Sequence, residues 1–144
     1  MARGIPAEVI RHFQAVPLFA SMSKKGIRSV VQAADEIDIG AGRVLVREGE
    51  WGRELYVVLR GTAEVVKEGK KLRELVPGDF FGEMAFLSGA RRTATIAARS
   101  DMRVMILGPR QLEVILEKEP VLAKRMLETM AERVRSNEQL DHTH

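Results

Sequence analysis

The chain has 144 residues, 45% of them hydrophobic and 30% charged, which is enough for one soluble domain with its own core. It has no cysteine, which excludes disulfides, thiolate catalysis and cysteine-based zinc sites. Its formal net charge is only +3 and its basic residues are spread out, unlike the concentrated stripe of a nucleic-acid binder.

Elements in chain order begin with two helices. Pro6 suits a first helical turn, Val9, Ile10 and Phe13 share a face, and Pro17 ends that helix. Ser23 reads as the N-cap of a second helix with Ile27, Val30, Val31 and Ala34 on its apolar side, slightly weakened by Gly26. From about 36 to 107 the pattern becomes short β-branched runs: EIDI, RVLVRE, ELYVVLRG, TAEVVKE, KLRELV, ATIAAR and MRVMIL. Glycines punctuate them, which argues for a sandwich or barrel. Gly61 is expected to make a tight hairpin, VPGDF (76–80) a Pro-Gly turn, and KEGKK (67–71) a solvated turn. Trp51 reads as a turn residue and Tyr56 as strand core.

After Gly108-Pro109 the period returns to helix, with Leu112, Ile115 and Leu116 on one face. Glu119-Pro120 interrupts it, because proline lacks a donor and restricts the residue before it. A longer helix is expected over 121–137 with Ala123, Met126, Leu127, Met130 and Val134 as its stripe, and QLDHTH as a frayed tail. The whole is expected to be one domain: a helical segment over 1–34, β-structure over 36–107 and C-terminal helices over 110–137.

Residues 81–95 read FGEMAFLSGARRTAT. A glycine lets a ligand approach the backbone, and an ionised glutamate accepts hydrogen bonds from hydroxyls. An arginine's planar fork meets two phosphate oxygens at once. Glu83 and Arg92 therefore suit different ends of one ligand; a surface ion pair would not need the glycine, the apolar turn and the Thr-Ala-Thr tail.

In layout and in this stretch the sequence resembles the cyclic nucleotide-binding domain family, over nearly the whole chain. The family's phosphate-binding cassette is matched by Phe81-Gly82-Glu83-Met84-Ala85-Phe86-Leu87, a variable turn from Ser88 to Arg91, and Arg92-Thr93-Ala94-Thr95. The resemblance implies an α+β, mainly β fold: an eight-stranded β-roll, or jelly-roll barrel, with N-terminal helices, a short C-terminal helix and a longer lid helix. It implies a regulatory sensor for cAMP or cGMP, not an enzyme, with the C-terminal helices relaying occupancy. Gly82, Glu83, Met84, Ala85, Arg92, Thr93 and Ala94 would bind the ligand, Arg92 the phosphate and Glu83 the ribose hydroxyl. A short helix beginning near Glu83 would add its N-terminal N–H groups to the phosphate site, and Leu87 would report capture to the helices. Met130 and Arg133 are candidate lid contacts to the base. Arg91 stands where many members have proline and is expected to face solvent, since neighbouring residues of an extended segment point to opposite sides.

The expectation for partners follows. No cofactor or metal is called for, and His12, His142 and His144 all lie outside the barrel. No recognition helix follows the last helix, so DNA is not a partner of this chain alone. Apolar runs fall short of a membrane span and the N-terminus lacks a secretory core, so a cytoplasmic domain acting on an effector protein or output domain is expected. The alternative is a degenerate protein-interaction module of the same fold without ligand.

Overall fold

The computed structural model describes residues 5–82, 89 and 91–142, with His12 and residues 136–142 described by backbone alone. The chain opens with α1 (Ala7–Gln14), a 3-10 turn at Pro17–Phe19 and α2 (Lys24–Ala33). Ser23 caps α2 as expected, its Oγ accepting from the Gly26 amide at 3.0 Å. Pro17 does not simply stop α1; it opens the 3-10 turn that buries Leu18 and Phe19.

Eight described strands follow: β1 (Asp35–Ile39), β2 (Val44–Val46), β3 (Leu55–Arg60), β4 (Ala63–Lys67), β5 (Lys70–Leu75), β6 (Phe80–Phe81), β7 (Thr95–Ala98) and β8 (Met102–Leu107). They form two four-stranded antiparallel sheets, β1-β8-β3-β6 and β2-β7-β4-β5. The chain changes sheet at almost every connection, as a roll requires. Only β4 and β5 are both consecutive and paired.

That topology corrects the hairpin expected at Gly61. β3 and β4 lie in different sheets, and Gly61 (φ 82°) turns the corner between them. A Cβ there would strike the Asp101 carbonyl and lie 2.9 Å from the Met102 Cα, so the corner is closed to side chains. The true hairpin is the exposed Glu68-Gly69 turn, both residues at positive φ (51° and 78°), within the solvated 67–71 stretch. The Pro77-Gly78 turn forms as expected, with Gly78 at φ 98° and Asp79 Oδ2 accepting from the Val76 amide at 2.9 Å.

The sheet containing β3 and β8 is buried on both faces. Leu55, Val57, Leu59, Phe80, Met105 and Leu107 pack towards the helices. Val58, Phe81, Met102 and Val104 pack into the roll against β4 and β7. This explains why LYVVL and VMIL (104–107) read as unbroken apolar runs rather than alternating ones.

Two helices close the chain: α3 (Pro109–Lys118) and α4 (Pro120–His142). The long helix therefore runs beyond 137, where fraying was expected; no proline or glycine lies in its last turns to stop it. Its buried side is Leu122 and Met126, one turn apart, packed into the helix-side core. Leu127 and Val134, expected in that stripe, are 61% and 52% exposed. Gly26 of α2 receives the Glu119 carboxylate at the α3–α4 break, where a Cβ would clash with it.

Candidate ligand-binding site

The site centres on Arg92, a charged residue only 6% exposed. Arg92 lies in the last part of the expected cassette, shortly before β7. Two backbone bonds fasten it to the β2–β3 loop: its amide donates to the Glu50 carbonyl at 2.8 Å, and its carbonyl accepts from the Gly49 amide at 2.9 Å. Arg92 Nη1 donates to the Glu54 carbonyl at 3.1 Å and Nη2 to Glu54 Oε1 at 3.2 Å. The guanidinium lies 5.8 Å from the centre of the Tyr56 ring, which stacks on Phe81 at 4.7 Å and 5°.

Two glycines make room for this guanidinium. A Cβ on Gly52 would sit 2.8 Å from Nη2 and 3.0 Å from Nε. A Cβ on Gly82 would sit 2.8 Å from Nη1, and Gly82 itself has φ 96°. A planar cation with five donors is thus held at the roll's edge with two of them on Glu54. Burial pushes the Tyr56 phenol above its ordinary 10.0; the Arg92 charge works against that rise and the Glu54 charge adds to it.

The expected site residues fare differently. Gly82 and Arg92 are brought into contact. Thr93 is exposed, and Ala94 is half-buried against the roll core. Thr95 starts β7, and its Oγ1 accepts from the Glu48 amide at 2.9 Å. Glu83, Met84, Ala85 and Leu87 lie outside the described residues. Met130 is half-buried on α4. Arg133 donates through Nη2 to the Phe80 carbonyl, and its guanidinium lies 4.6 Å from the centre of the Phe80 ring. Phe80 faces the helices while Phe81 faces the roll, so Arg133 sits across β6 from Tyr56.

Arg91 is exposed as expected, yet it does not meet water alone. Its guanidinium lies 4.5 Å from the centre of the Trp51 ring, and Nη1 donates to the Gly49 carbonyl at 3.0 Å. An indole 67% exposed offers an open π-face that a neighbouring cation fills. Glu54, Gly52 and Tyr56 were missed as site residues. They lie some forty positions before Arg92, and the one available signal was that a buried arginine needs a carboxylate.

Among the described residues no group of three or more His, Asp or Glu side chains could hold a metal, and no helix is long and apolar enough to cross a membrane. Two antiparallel sheets rolled around one core, flanked by helices and carrying a buried arginine, define a β-roll domain. The chain belongs to the cyclic nucleotide-binding domain family, whose model matches residues 36–119. A cyclic nucleotide-gated potassium channel of Rhizobium etli is 30% identical over 129 residues, covering 88% of this chain and only 36% of the channel. Cyclic AMP-bound PfPKA-R superposes with a TM-score of 0.84 at 21% identity, covering 93% of this chain and 46% of that one. The regulatory domain of Toxoplasma gondii PKA, solved with cAMP, is 30% identical with a TM-score of 0.68, covering 78% of this chain and 46% of that one.

Proposed function

We propose that this domain is a regulatory sensor that binds cAMP or cGMP and relays occupancy through its C-terminal helices. The observation that carries the reading is Arg92, buried yet placed at the edge of the roll between two glycines that leave space around its guanidinium. A charge so costly to bury suits a site for a single phosphate. Gly82 would let that phosphate reach the backbone, with Met84 and Ala85 beside it. Glu83 would accept from the ribose hydroxyl, and Thr93 would offer its exposed hydroxyl next to the phosphate. Ala94, half-buried just before β7, would let the chain pack closely behind them.

The relay would run through α3 and α4. Glu119 leaves helical geometry (φ −127°, ψ 76°) immediately before Pro120, which separates α3 from α4. Leu122 and Met126 anchor the start of α4 in the core, so the part free to move lies beyond Met126. Met130 and Arg133 lie on that part, and Arg133 would exchange Phe80 for the base as the helix closes. The output would be an effector protein or a further domain, and the expected setting is the cytoplasm. Both R. etli and T. gondii relatives are regulated or regulatory proteins by name, which supports a sensor over a catalyst.

Isothermal titration with cAMP, cGMP and 5′-AMP tests the reading, with amide NMR to locate the change. Saturable binding of a cyclic nucleotide, with shifts at Gly82, Glu83 and Arg92, is the expected result. No heat and no shifts at millimolar ligand would overturn it in favour of a ligand-free interaction module.

A further inference from the structure

We infer that Glu54 sets the affinity of the site by competing with the anionic ligand for Arg92, an inference that rests on reading Arg92 as the phosphate-binding residue. One residue takes both Nη groups. The Glu54 carbonyl, fixed just before β3, accepts from Nη1, and its carboxylate accepts from Nη2. The two contacts differ in kind. The carbonyl is neutral and rigidly placed, so it orients the guanidinium. The carboxylate is the end of a flexible side chain, 46% exposed against 5% for Arg92. It can swing into water at little cost, whereas Arg92 cannot leave.

An incoming phosphate needs paired N–H donors of Arg92 and carries the same sign as Glu54. While the carboxylate stays on Nη2, ligand and glutamate would stand within a few ångströms on one guanidinium, and like charges at that range repel. Binding therefore requires the carboxylate to leave or to bear the repulsion. Either way Glu54 weakens binding, and in the empty domain it keeps a buried cation paired. The residue lies outside the cassette, 38 positions from Arg92.

The test is titration of wild type, Glu54→Gln and Glu54→Ala with cAMP and cGMP at low salt and at 1 M salt. Both variants remove the charge; Gln keeps a side-chain acceptor, so it serves if Ala folds poorly. The expected result is binding about two- to fivefold tighter in both variants at low salt, the range of a half-exposed ion pair. That gain should shrink at 1 M salt, where charges are screened over about 3 Å. Binding by the variants alone would support the inference in its strongest form. Unchanged or weaker binding in the variants, with wild type still binding, overturns the inference and leaves the sensor reading intact. No binding by any of the three overturns both.

Discussion

Nη1 of Arg92 fills the space that a side chain on Gly82 would need: a Cβ there would lie 2.8 Å from it. The same Cβ would press on the Glu54 carbonyl, the other partner of that nitrogen. Gly82 also stands at φ 96°, where alanine is strained. Gly82→Ala should therefore lower stability by about 1–3 kcal/mol and push the guanidinium off its seat. Thermal melting and nucleotide titration check this. The expected result is a lowered melting temperature with affinity down at least tenfold; wild-type affinity in the variant would mean that Arg92 is not seated through Gly82.

The two arginines separate by burial. Arg92→Leu should abolish nucleotide binding while the domain still folds, because the partly exposed Glu54 carboxylate can hydrate when its partner goes. Arg91→Leu loses the stack on Trp51 and one bond to the Gly49 carbonyl. That should cost about 0.5–1 kcal/mol and change affinity by no more than a few-fold. Trp51 is the chain's single tryptophan, so its fluorescence reports the loss of the Arg91 contact directly. Equal losses of binding from both substitutions would contradict the assignment of the phosphate to Arg92.

What could be read from the sequence was local. Ser23 as a cap, Pro77-Gly78 as a turn and the β-branched runs all depend on neighbours a few positions away. Arg92 stood out because the stretch that carries it, 81–95, is contiguous. What depended on three-dimensional partners was not. Gly61 looks like a hairpin until β3 and β4 are known to lie in different sheets. Phe80–Phe81 is too short a strand to show a period, yet it sends one ring to each core. Leu122 was passed over because the apolar positions of α4 do not distinguish the side that meets the core from the side that meets water. Glu54 sits in a charged loop where nothing nearby announces its partner.

Tyr56, the chain's single tyrosine, makes the site's electrostatics measurable. Its folded-state pKa is raised above 10.0, chiefly by burial. The neutral phenol is thus favoured in the folded state, and this stabilisation is present below the unfolded value and lost as pH rises through the folded one. Alkaline titration followed by tyrosinate absorbance should show ionisation later than in the urea-unfolded chain. Arg92→Leu removes the charge that opposes the rise, so ionisation should move later still. An earlier titration in that variant would mean Arg92 does not act on this ring.

The long helix should divide at Met126. Leu122 is fully buried, so Leu122→Ala should cost about 2–5 kcal/mol, whereas Leu127→Ala, at an exposed position, should stay within about 0.5 kcal/mol. Farther along, Arg133 ties the helix to the Phe80 carbonyl and ring. Arg133→Ala gives up that hydrogen bond and the cation–π contact, at a site far from the Leu122 anchor. Global stability should fall by no more than about 1 kcal/mol, while amide exchange beyond Met126 should quicken and exchange around Leu122 should hold. Hydrogen exchange read residue by residue decides it. Uniform acceleration along all of α4 would show that the helix opens as one unit, and the proposed moving segment beyond Met126 would have to include its anchor.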